Sequence, residues 1–472
     1  MSAKTATPNK KLTFTSIYFL GINAIVGSGA FLLPQQIYKN IGVMSILVLL
    51  TAALTVSMVA LCYADLSSRF SGSGAAWLYS YNAFGKFTGF QIGLFSWFLG
   101  CLTFTAESVA LHRTLKSMYP ALDNPIAKYA FPIGVIVLLS IINLFGTSIV
   151  KKINSVSSII KIATLVFFLV AGVFFIKTAH FTPIVPESVK TTGSFFGHFG
   201  QAFSVVFYMF TGFSFIPVAA GQMNNPEKNI PKALIAVMSS VTIIYVLVQA
   251  TAIGILGPSI AKFDIPIAQA LNSSIGHWAY VLIVIGMIIS IFGVAFAVSF
   301  NTPVLAASLS TEHNLLPSAV GKRNKNDAPY IAVIITMIIS IFLVSFSYIF
   351  LVAAIVLASF IQYVPSILAV IKFKHTKQFP NNGFSLKGGD TIPIIALIIS
   401  MYLLTNFRMD VLLLILGVFI VGLIMYYTSI KNKPDSPSAP QAPKGKVVQA
   451  TTKLADKVAT TTQSAPTHVS TK

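Results

Sequence analysis

The chain has 472 residues, of which 55% are hydrophobic and 9% are charged, and its mean hydropathy is +0.81. Soluble domains carry charge on about a quarter of their residues, so this composition excludes a soluble globular protein and predicts a membrane protein. A net charge of +20 would suggest a nucleic-acid partner in a soluble protein, but here the basic residues cluster in short loops and in the tail. That distribution indicates membrane orientation and no nucleic-acid partner.

Hydropathy along the chain predicts about 12 transmembrane helices, each close to the ~20 apolar residues that a bilayer requires. The fold class is therefore expected to be an all-α polytopic membrane protein. Cys62 and Cys101 both lie in apolar runs, and their spacing predicts packing residues with no metal site and no cofactor. The spans fall at roughly 14–38, 42–64, 88–111, 130–149, 155–177, 198–220, 232–256, 276–306, 329–346, 349–371, 391–407 and 411–430.

Basic residues are distributed unequally between the two sides that these spans define. An even number of spans puts both termini on one side, which then holds about 23 basic residues against about 8 on the other. The positive-inside rule predicts cytoplasmic termini in a multi-pass protein of the plasma membrane. Residues 1–13 are expected to form a cytoplasmic segment, and the Pro-, Ser- and Lys-rich residues 431–472 a disordered cytoplasmic tail.

The first span is interrupted by small, flexible residues where a membrane helix should be most regular. Gly27, Ser28 and Gly29 lie within the apolar run from Gly21 to Pro34. A break at mid-membrane leaves backbone N–H and C=O groups without partners, which costs several kcal/mol unless another group pairs with them. A solute carboxylate or an ion is the usual partner, so the break predicts half of a transport site.

The sixth span carries a second interruption. Thr211, Gly212, Ser214 and Pro217 lie in its middle, and the proline removes one helical hydrogen bond. Either break alone could be a simple kink, but they occupy the same position in two halves of five helices. Corresponding broken helices are typical of transporters with inverted repeats. The transmembrane domain, 14–430, is predicted to contain repeats at about 14–177 and 198–371, followed by two extra helices within 391–430.

Three stretches carry a resemblance to a known family. Val26–Pro34 resembles the glycine-rich first-helix motif of the amino acid–polyamine–organocation superfamily of permeases. Asp65–Gly85 resembles the loop between its helices 2 and 3, and Thr211–Pro231 resembles its sixth helix with the following loop. The chain is therefore identified as resembling a bacterial amino acid permease. The resemblance implies five-plus-five inverted repeats, two extra helices, secondary transport of amino acids or related amines, and a monomer or homodimer.

The two breaks together could bind a zwitterion. Amides at the first break, with the positive dipole end of a half-helix, would donate to a carboxylate, and the Ser28 hydroxyl adds one more bond. Unpaired carbonyls near Ala24, Ile25 and Phe210 would accept from an ammonium group. The alternative is that the glycines only permit close helix packing. The predicted substrate-binding residues are Ile25, Val26, Gly27, Ser28, Gly29, Tyr208, Phe210, Thr211, Gly212 and Ser214.

Two positions of the sixth span bear on substrate choice. In arginine–agmatine exchangers of this superfamily an aromatic residue covers the substrate, and alignment on Gly212 places Tyr208 there. The alternative for Tyr208 is an ordinary lipid-facing or core aromatic. Many relatives carry glutamate where this chain has Ser214, and that departure weakens an assignment to arginine or polyamine substrates.

Ionisable residues inside predicted spans are functional candidates by default. Proton-coupled relatives have a lysine near the position of Lys161, where its ammonium replaces a coupling sodium ion; the alternative is snorkelling to the interface. Glu107 could pair with a solute ammonium group, or structurally with Arg113 or a hydroxyl. Asp65 and Arg69 could pair across the inner loop, either as a gate or as a loop anchor.

The predicted function is secondary active transport of amino acids by alternating access, with proton-coupled uptake as the first hypothesis. Exchange of an amino acid for its decarboxylated amine is the alternative, and a transporter-like nutrient sensor is a further one. No enzyme is predicted, because no span contains a nucleophile–base or metal-ligand constellation, and no repeated filter indicates a channel. The expected partners are an amino acid or amine, protons and membrane lipid.

Overall fold

The computed structural model describes residues 12–70, 74–145, 150–189, 192–311, 314–381, 383–405 and 407–432. These residues form helices joined by short connections, and within them the only β-type pairing is one isolated bridge. The prediction of an all-α fold is thus confirmed. Residues 1–11 and 433–472 lie outside the described residues, so the cytoplasmic N-terminal segment and the disordered tail stay predictions.

The first half of the described chain contains the broken first span and the helices that surround it. α1 ends after three turns, and two short helices follow it before the next long one begins. The helices are α1 (Phe14–Ile25), α2 (Gly29–Leu32), α3 (Pro34–Ile41), α4 (Ser45–Ser67), α5 (Ala75–Phe84), α6 (Lys86–Lys116), α7 (Pro125–Asn143) and α8 (Val150–Gly172).

The second half begins with another helix that stops inside its predicted span. α9 begins before the predicted residue 198 and ends at Phe210, after which two 3₁₀ segments, Phe213–Phe215 and Pro217–Gln222, lead to α10. The helices are α9 (Thr192–Phe210), α10 (Pro226–Leu256), α11 (Pro266–Ile275), α12 (His277–Thr311), α13 (Tyr330–Leu343), α14 (Tyr348–Thr376), α15 (Thr391–Leu404) and α16 (Met409–Met425).

Each of the twelve predicted spans coincides with a helix or with a broken helix. Eight helical stretches among the described residues are long and apolar enough to cross a membrane, and three shorter apolar helices, α1, α13 and α15, accompany them. The break explains why α1 is short, because its span continues through α2 and α3. The structure confirms a polytopic membrane protein, while the exact number of crossings stays a prediction.

Helices α6 and α12 lie at the centre of the structure. α6 packs against α5, α12 and α14, and α12 also packs against α8. Small residues allow the helices to approach, since a Cβ atom on Gly93 would lie 2.7 Å from the side chain of Leu309 and one on Gly100 would overlap Thr302. The centre is therefore a close-packed frame for the functional site.

The outer helices expose large apolar side chains. Ile338 and Phe342 of α13, Ile398 of α15 and Leu413 of α16 are each at least 58% exposed. A soluble protein rarely exposes contiguous apolar surface, whereas a bilayer accommodates such side chains. These faces fit contact with lipid.

The chain just before α1 pairs with the segment that follows the second break. Leu12 and Met223 form the isolated parallel bridge, and the Asn224 N–H donates to the Leu12 carbonyl at 3.1 Å. The entry to α1 is thus attached to the connection between α9 and α10.

Candidate functional site

The first break replaces regular helix with a buried turn from Val26 to Ser28. The Val26 N–H still bonds to the Ile22 carbonyl, but the Gly27 N–H turns back to the Ile25 carbonyl at 3.0 Å. Val26 is 1% exposed and Ser28 is fully buried. Backbone polar groups at this depth require partners from other helices.

Lys161 of α8 supplies partners for the carbonyl side of the break. Its ammonium donates to the Asn23 carbonyl at 3.2 Å and to the Val26 carbonyl at 2.5 Å. The side chain is fully buried, so it does not snorkel to an interface. The predicted lysine therefore lies at the break itself.

Glu107 of α6 supplies partners for the amide side. Its carboxylate accepts from the Ser28 N–H, at 3.3 Å to Oε1 and 3.2 Å to Oε2, and from the Ser28 hydroxyl at 2.9 Å. Arg113, the other partner considered from sequence, instead forms an ion pair with Asp264 at 3.1 Å. Glu107 thus pairs with a hydroxyl and a backbone amide.

The second break meets the first one directly. Gly212 has a φ of +102°, a left-handed conformation that favours glycine. A Cβ atom at this position would overlap the Ala24 carbonyl of α1. Gly212 thus permits both the turn after α9 and the contact between the two broken helices, while the Thr211 hydroxyl donates back to the Tyr208 carbonyl at 2.7 Å.

Three tyrosines line the junction. The Tyr208 hydroxyl donates to Glu107 Oε1 at 3.3 Å, so the aromatic residue predicted from the sixth span does face the first break. The Tyr348 and Ser28 hydroxyls are 2.8 Å apart, and the Tyr245 hydroxyl donates to the Ile25 carbonyl at 3.2 Å. Tyr245 and Tyr348 were missed by the sequence analysis, because no local pattern marks them among 16 tyrosines.

The remaining residues predicted on the sixth span divide between two places. Phe210 packs edge-on against Tyr245, with ring centroids 5.2 Å apart, and so belongs to the junction. Ser214 lines a separate cavity of about 10 Å³ together with Ser96 and Gln362. Ser28 is not among the residues that line this cavity.

Charged residues cover the junction at the end that the positive-inside rule assigns to the outside. The Arg113 guanidinium lies 5.4 Å from the centre of the Tyr348 ring, within the range of a cation–π contact. The same guanidinium holds Asp264, which precedes α11. Arg113 and Asp264 thus connect the top of α6 with the α10–α11 connection above Tyr348.

Asp65 and Arg69 do pair, at the opposite end of the structure. Their buried side chains are 2.7 Å apart. Arg69 also donates to the Phe379 carbonyl at 2.7 Å, and Asp65 Oδ2 accepts from the Leu386 N–H at 2.9 Å. Both contacts anchor the connection between α14 and α15 to the end of α4.

The junction therefore brings hydrogen-bond donors and acceptors together around the first break, with Lys161 and Glu107 as its charged groups. Its amide, hydroxyl and carboxylate groups are the chemical types that hydrogen-bond to carboxylate and ammonium groups. Among the described residues, no group of three His, Cys, Asp or Glu side chains could hold a metal ion.

Comparison with known proteins identifies the family. A family model described as amino acid permease matches residues 12–434. An uncharacterized transporter of Mycobacterium tuberculosis is 27% identical over 473 residues, which cover 91% of this chain and 97% of that transporter. The branched-chain amino acid permease BcaP of Bacillus subtilis is 25% identical over 437 residues, which cover 89% and 92% of the two chains.

A plant protein is similar over a shorter range. The chloroplastic cationic amino acid transporter 9 of Arabidopsis thaliana is 25% identical over 300 residues, which cover 59% of this chain and 51% of that protein. The family match spans both breaks and nearly all of the helices, so the resemblance found in the sequence is confirmed. This chain belongs to the amino acid permease family.

Proposed function

We propose that this permease is a secondary active transporter that takes up amino acids across the plasma membrane by alternating access, driven by protons. Its family membership supports an amino acid as the solute. One observation carries the proposal. The broken α1 exposes backbone groups to a basic and an acidic side chain at the point where it meets the broken α9.

The proposed solute site is the junction of α1 and α9. The carboxylate of an amino acid needs N–H and O–H donors, which the first break and the tyrosines offer, and its ammonium needs acceptors. Glycine at positions 27 and 29 allows close approach of the backbone. The proposed binding residues are Ile25, Val26, Gly27, Ser28, Gly29, Tyr208, Phe210, Thr211, Gly212 and Ser214. Of these, Ser214 lines the cavity that contains Ser96 and Gln362.

Lys161 is the proposed coupling residue. As an ammonium it holds two carbonyls of α1 against α8, and a charged donor forms stronger hydrogen bonds than a neutral amine. Loss of its proton would weaken this attachment and free α1 to move relative to α8. Proton binding and the position of a broken helix would thereby be linked.

The proposed motion is a rocking of the two broken spans and their neighbours against the remaining helices. Arg113, Asp264 and Tyr348 would close the junction on the outer side. On the cytoplasmic side, the hydrogen bonds from Asp65 and Arg69 to the connection after α14 would either persist or break as the structure opens. They persist if the pair is an anchor and break if it is a gate.

Uptake into proteoliposomes tests the proposal. The panel should contain branched-chain, other neutral and cationic amino acids, because the similar proteins named above act on different members of that set. We expect an inward proton gradient to drive accumulation in vesicles that contain no counter-solute. Uptake only into vesicles preloaded with the corresponding amine would establish exchange instead, and binding without flux would indicate a sensor.

The orientation is part of the proposal. Both termini are expected to be cytoplasmic because the predicted basic loops lie on their side. A protease-cleavable tag added at either terminus should be protected in intact cells and cleaved in inverted membrane vesicles. Cleavage of both tags from intact cells would contradict this orientation.

A further inference from the structure

A carboxylate of the protein itself occupies the donors at the first break. Glu107 accepts from the Ser28 N–H, from the Ser28 hydroxyl and from the Tyr208 hydroxyl. The Tyr348 hydroxyl lies 2.8 Å from the Ser28 hydroxyl, which fixes the serine from its other side. These are the donors that the carboxylate of a bound amino acid would need.

The chain around Glu107 is shaped to admit its carboxylate. A Cβ atom on Gly27 would lie 2.6 Å from Glu107 Oε1, so a larger residue at position 27 would displace the carboxylate from the amide of Ser28. Glu107 is 2% exposed. An amide, two hydroxyls and a glycine thus form a fitted anion site that is already filled.

We propose that Glu107 is an internal stand-in for the carboxylate of the substrate, and that one proton enters the site with each carboxylate that displaces it. The proposal rests on the amino acid transport proposed above and identifies how that same site selects its substrate. Two carboxylates cannot share one set of donors while both are ionised, because like charges at contact distance disfavour double ionisation.

The proton balance of the step is simple. An ionised Glu107 releases Ser28 and takes one proton from the protonated buffer, which becomes its conjugate base. Glu107 is then a neutral carboxylic acid, and the carboxylate of the substrate takes over its hydrogen bonds. No covalent bond to carbon forms or breaks. The titratable groups that face Glu107 are Lys161 of α8, Tyr208 of α9, Tyr245 of α10 and Tyr348 of α14. Arg113, which is on α6 like Glu107, lies next to Tyr348.

An amine without a carboxylate would meet a different site. It has no need of the amide of Ser28, so Glu107 can stay ionised and attract its ammonium. Amino acid binding should therefore take up a proton, whereas binding of the matching amine should not. This contrast separates Glu107 from a purely structural residue.

The test measures binding of matched pairs to purified full-length protein by calorimetry: leucine with 3-methylbutylamine, lysine with cadaverine, and arginine with agmatine. Titrations in two buffers with different ionisation enthalpies count the protons taken up by the wild-type protein. We expect about one proton for the amino acid of a pair that binds and none for its amine, in line with displacement of one carboxylate.

Glu107→Gln provides the second measurement, and Glu187→Gln, at an exposed position, is the matched control. Neutral glutamine holds Ser28 less strongly than a carboxylate does. We expect the affinity for the amino acid, relative to the amine, to rise at least about tenfold and the proton uptake to disappear. The Glu187 variant should behave as the wild type.

The possible failures are distinct. If the wild-type protein takes up no proton with an amino acid that it binds, Glu107 is not displaced and the inference is wrong, although transport stands. If the affinity for the amino acid relative to the amine is unchanged or lowered in Glu107→Gln, the carboxylate of Glu107 binds the ammonium group of the substrate. That result would also overturn the inference. If no amino acid of a wider panel binds or is transported, the proposed function itself is wrong.

Discussion

Lys161 and Glu107 hold backbone groups that are two residues apart in the same turn. The ammonium of Lys161 binds the Val26 carbonyl, and the carboxylate of Glu107 binds the Ser28 N–H. The two side chains come from α8 and α6, so the break in α1 is fixed from two helices by opposite charges. Each charged side chain forms hydrogen bonds to backbone groups that the missing helical turn leaves without helical partners.

Lys161→Ala should abolish accumulation driven by a proton gradient, while counterflow of labelled amino acid should survive. Lys161 is the proposed coupling residue, whose charge holds α1 against α8, but the exchange of one bound solute for another needs no net proton movement. Both activities are measured in the same proteoliposomes. Lys372→Ala is the matched control, because Lys372 also donates to a backbone carbonyl, that of Ala83, far from the break. Equal loss of both activities in Lys161→Ala would argue against coupling by Lys161.

Gly212→Ala should impair both folding and transport. Positive φ costs a residue with a Cβ atom about 1–2 kcal/mol, and the new methyl group would also overlap the Ala24 carbonyl. We expect a lower melting temperature and loss of uptake. Gly134→Ala in α7 is the control, since its Cβ would meet no atom within 4 Å and helical alanine is favoured by about 0.5–1 kcal/mol. Wild-type stability of Gly212→Ala would contradict the described contact of the two breaks.

Tyr348→Phe should weaken amino acid binding by roughly threefold to tenfold, because it removes one hydrogen bond to the Ser28 hydroxyl. The ring stays, so the contact with Arg113 is retained. Affinity is measured by calorimetry on purified protein. Tyr18→Phe removes a comparable tyrosine hydroxyl that bonds to Ser240 outside the junction, and it should leave the affinity unchanged. Equal affinities for both variants would place Tyr348 outside the site.

Asp65→Asn should destabilise the protein by about 3–5 kcal/mol, because it leaves the Arg69 guanidinium buried without its counter-charge. Asp327→Asn breaks an exposed pair with Arg323 and should cost about 0–1 kcal/mol. Denaturant-induced unfolding in detergent compares the two. An anchor predicts a normal transport rate per folded Asp65→Asn molecule, whereas a gate predicts an altered rate.

The breaks and the charged residues were predictable because each stands out against its local background. Glycines interrupt an otherwise apolar run at Gly27 and Gly29, and Lys161 and Glu107 are ionisable groups within spans where charge is costly. Gly212 and Pro217 likewise interrupt the apolar sixth span. Local sequence therefore indicated where the backbone would need partners.

The contacts around the break were less predictable because they depend on the faces that distant helices turn toward each other. Nothing adjacent to Tyr245 or Tyr348 in sequence marks either residue as a neighbour of α1. Ser214 is predicted as one of the binding residues of the sixth span, and in the structure it lines a cavity with Gln362. Its role in binding stays a prediction.

The bridge between Leu12 and Met223 has a mechanical consequence. Since the entry to α1 and the connection after α9 are paired through their backbones, a displacement of one pulls on the other. The two interrupted helices are therefore tied at one end by main-chain hydrogen bonding and touch again at Gly212 and Ala24. Because they are attached at two separated points, the two broken helices are expected to move together as one unit.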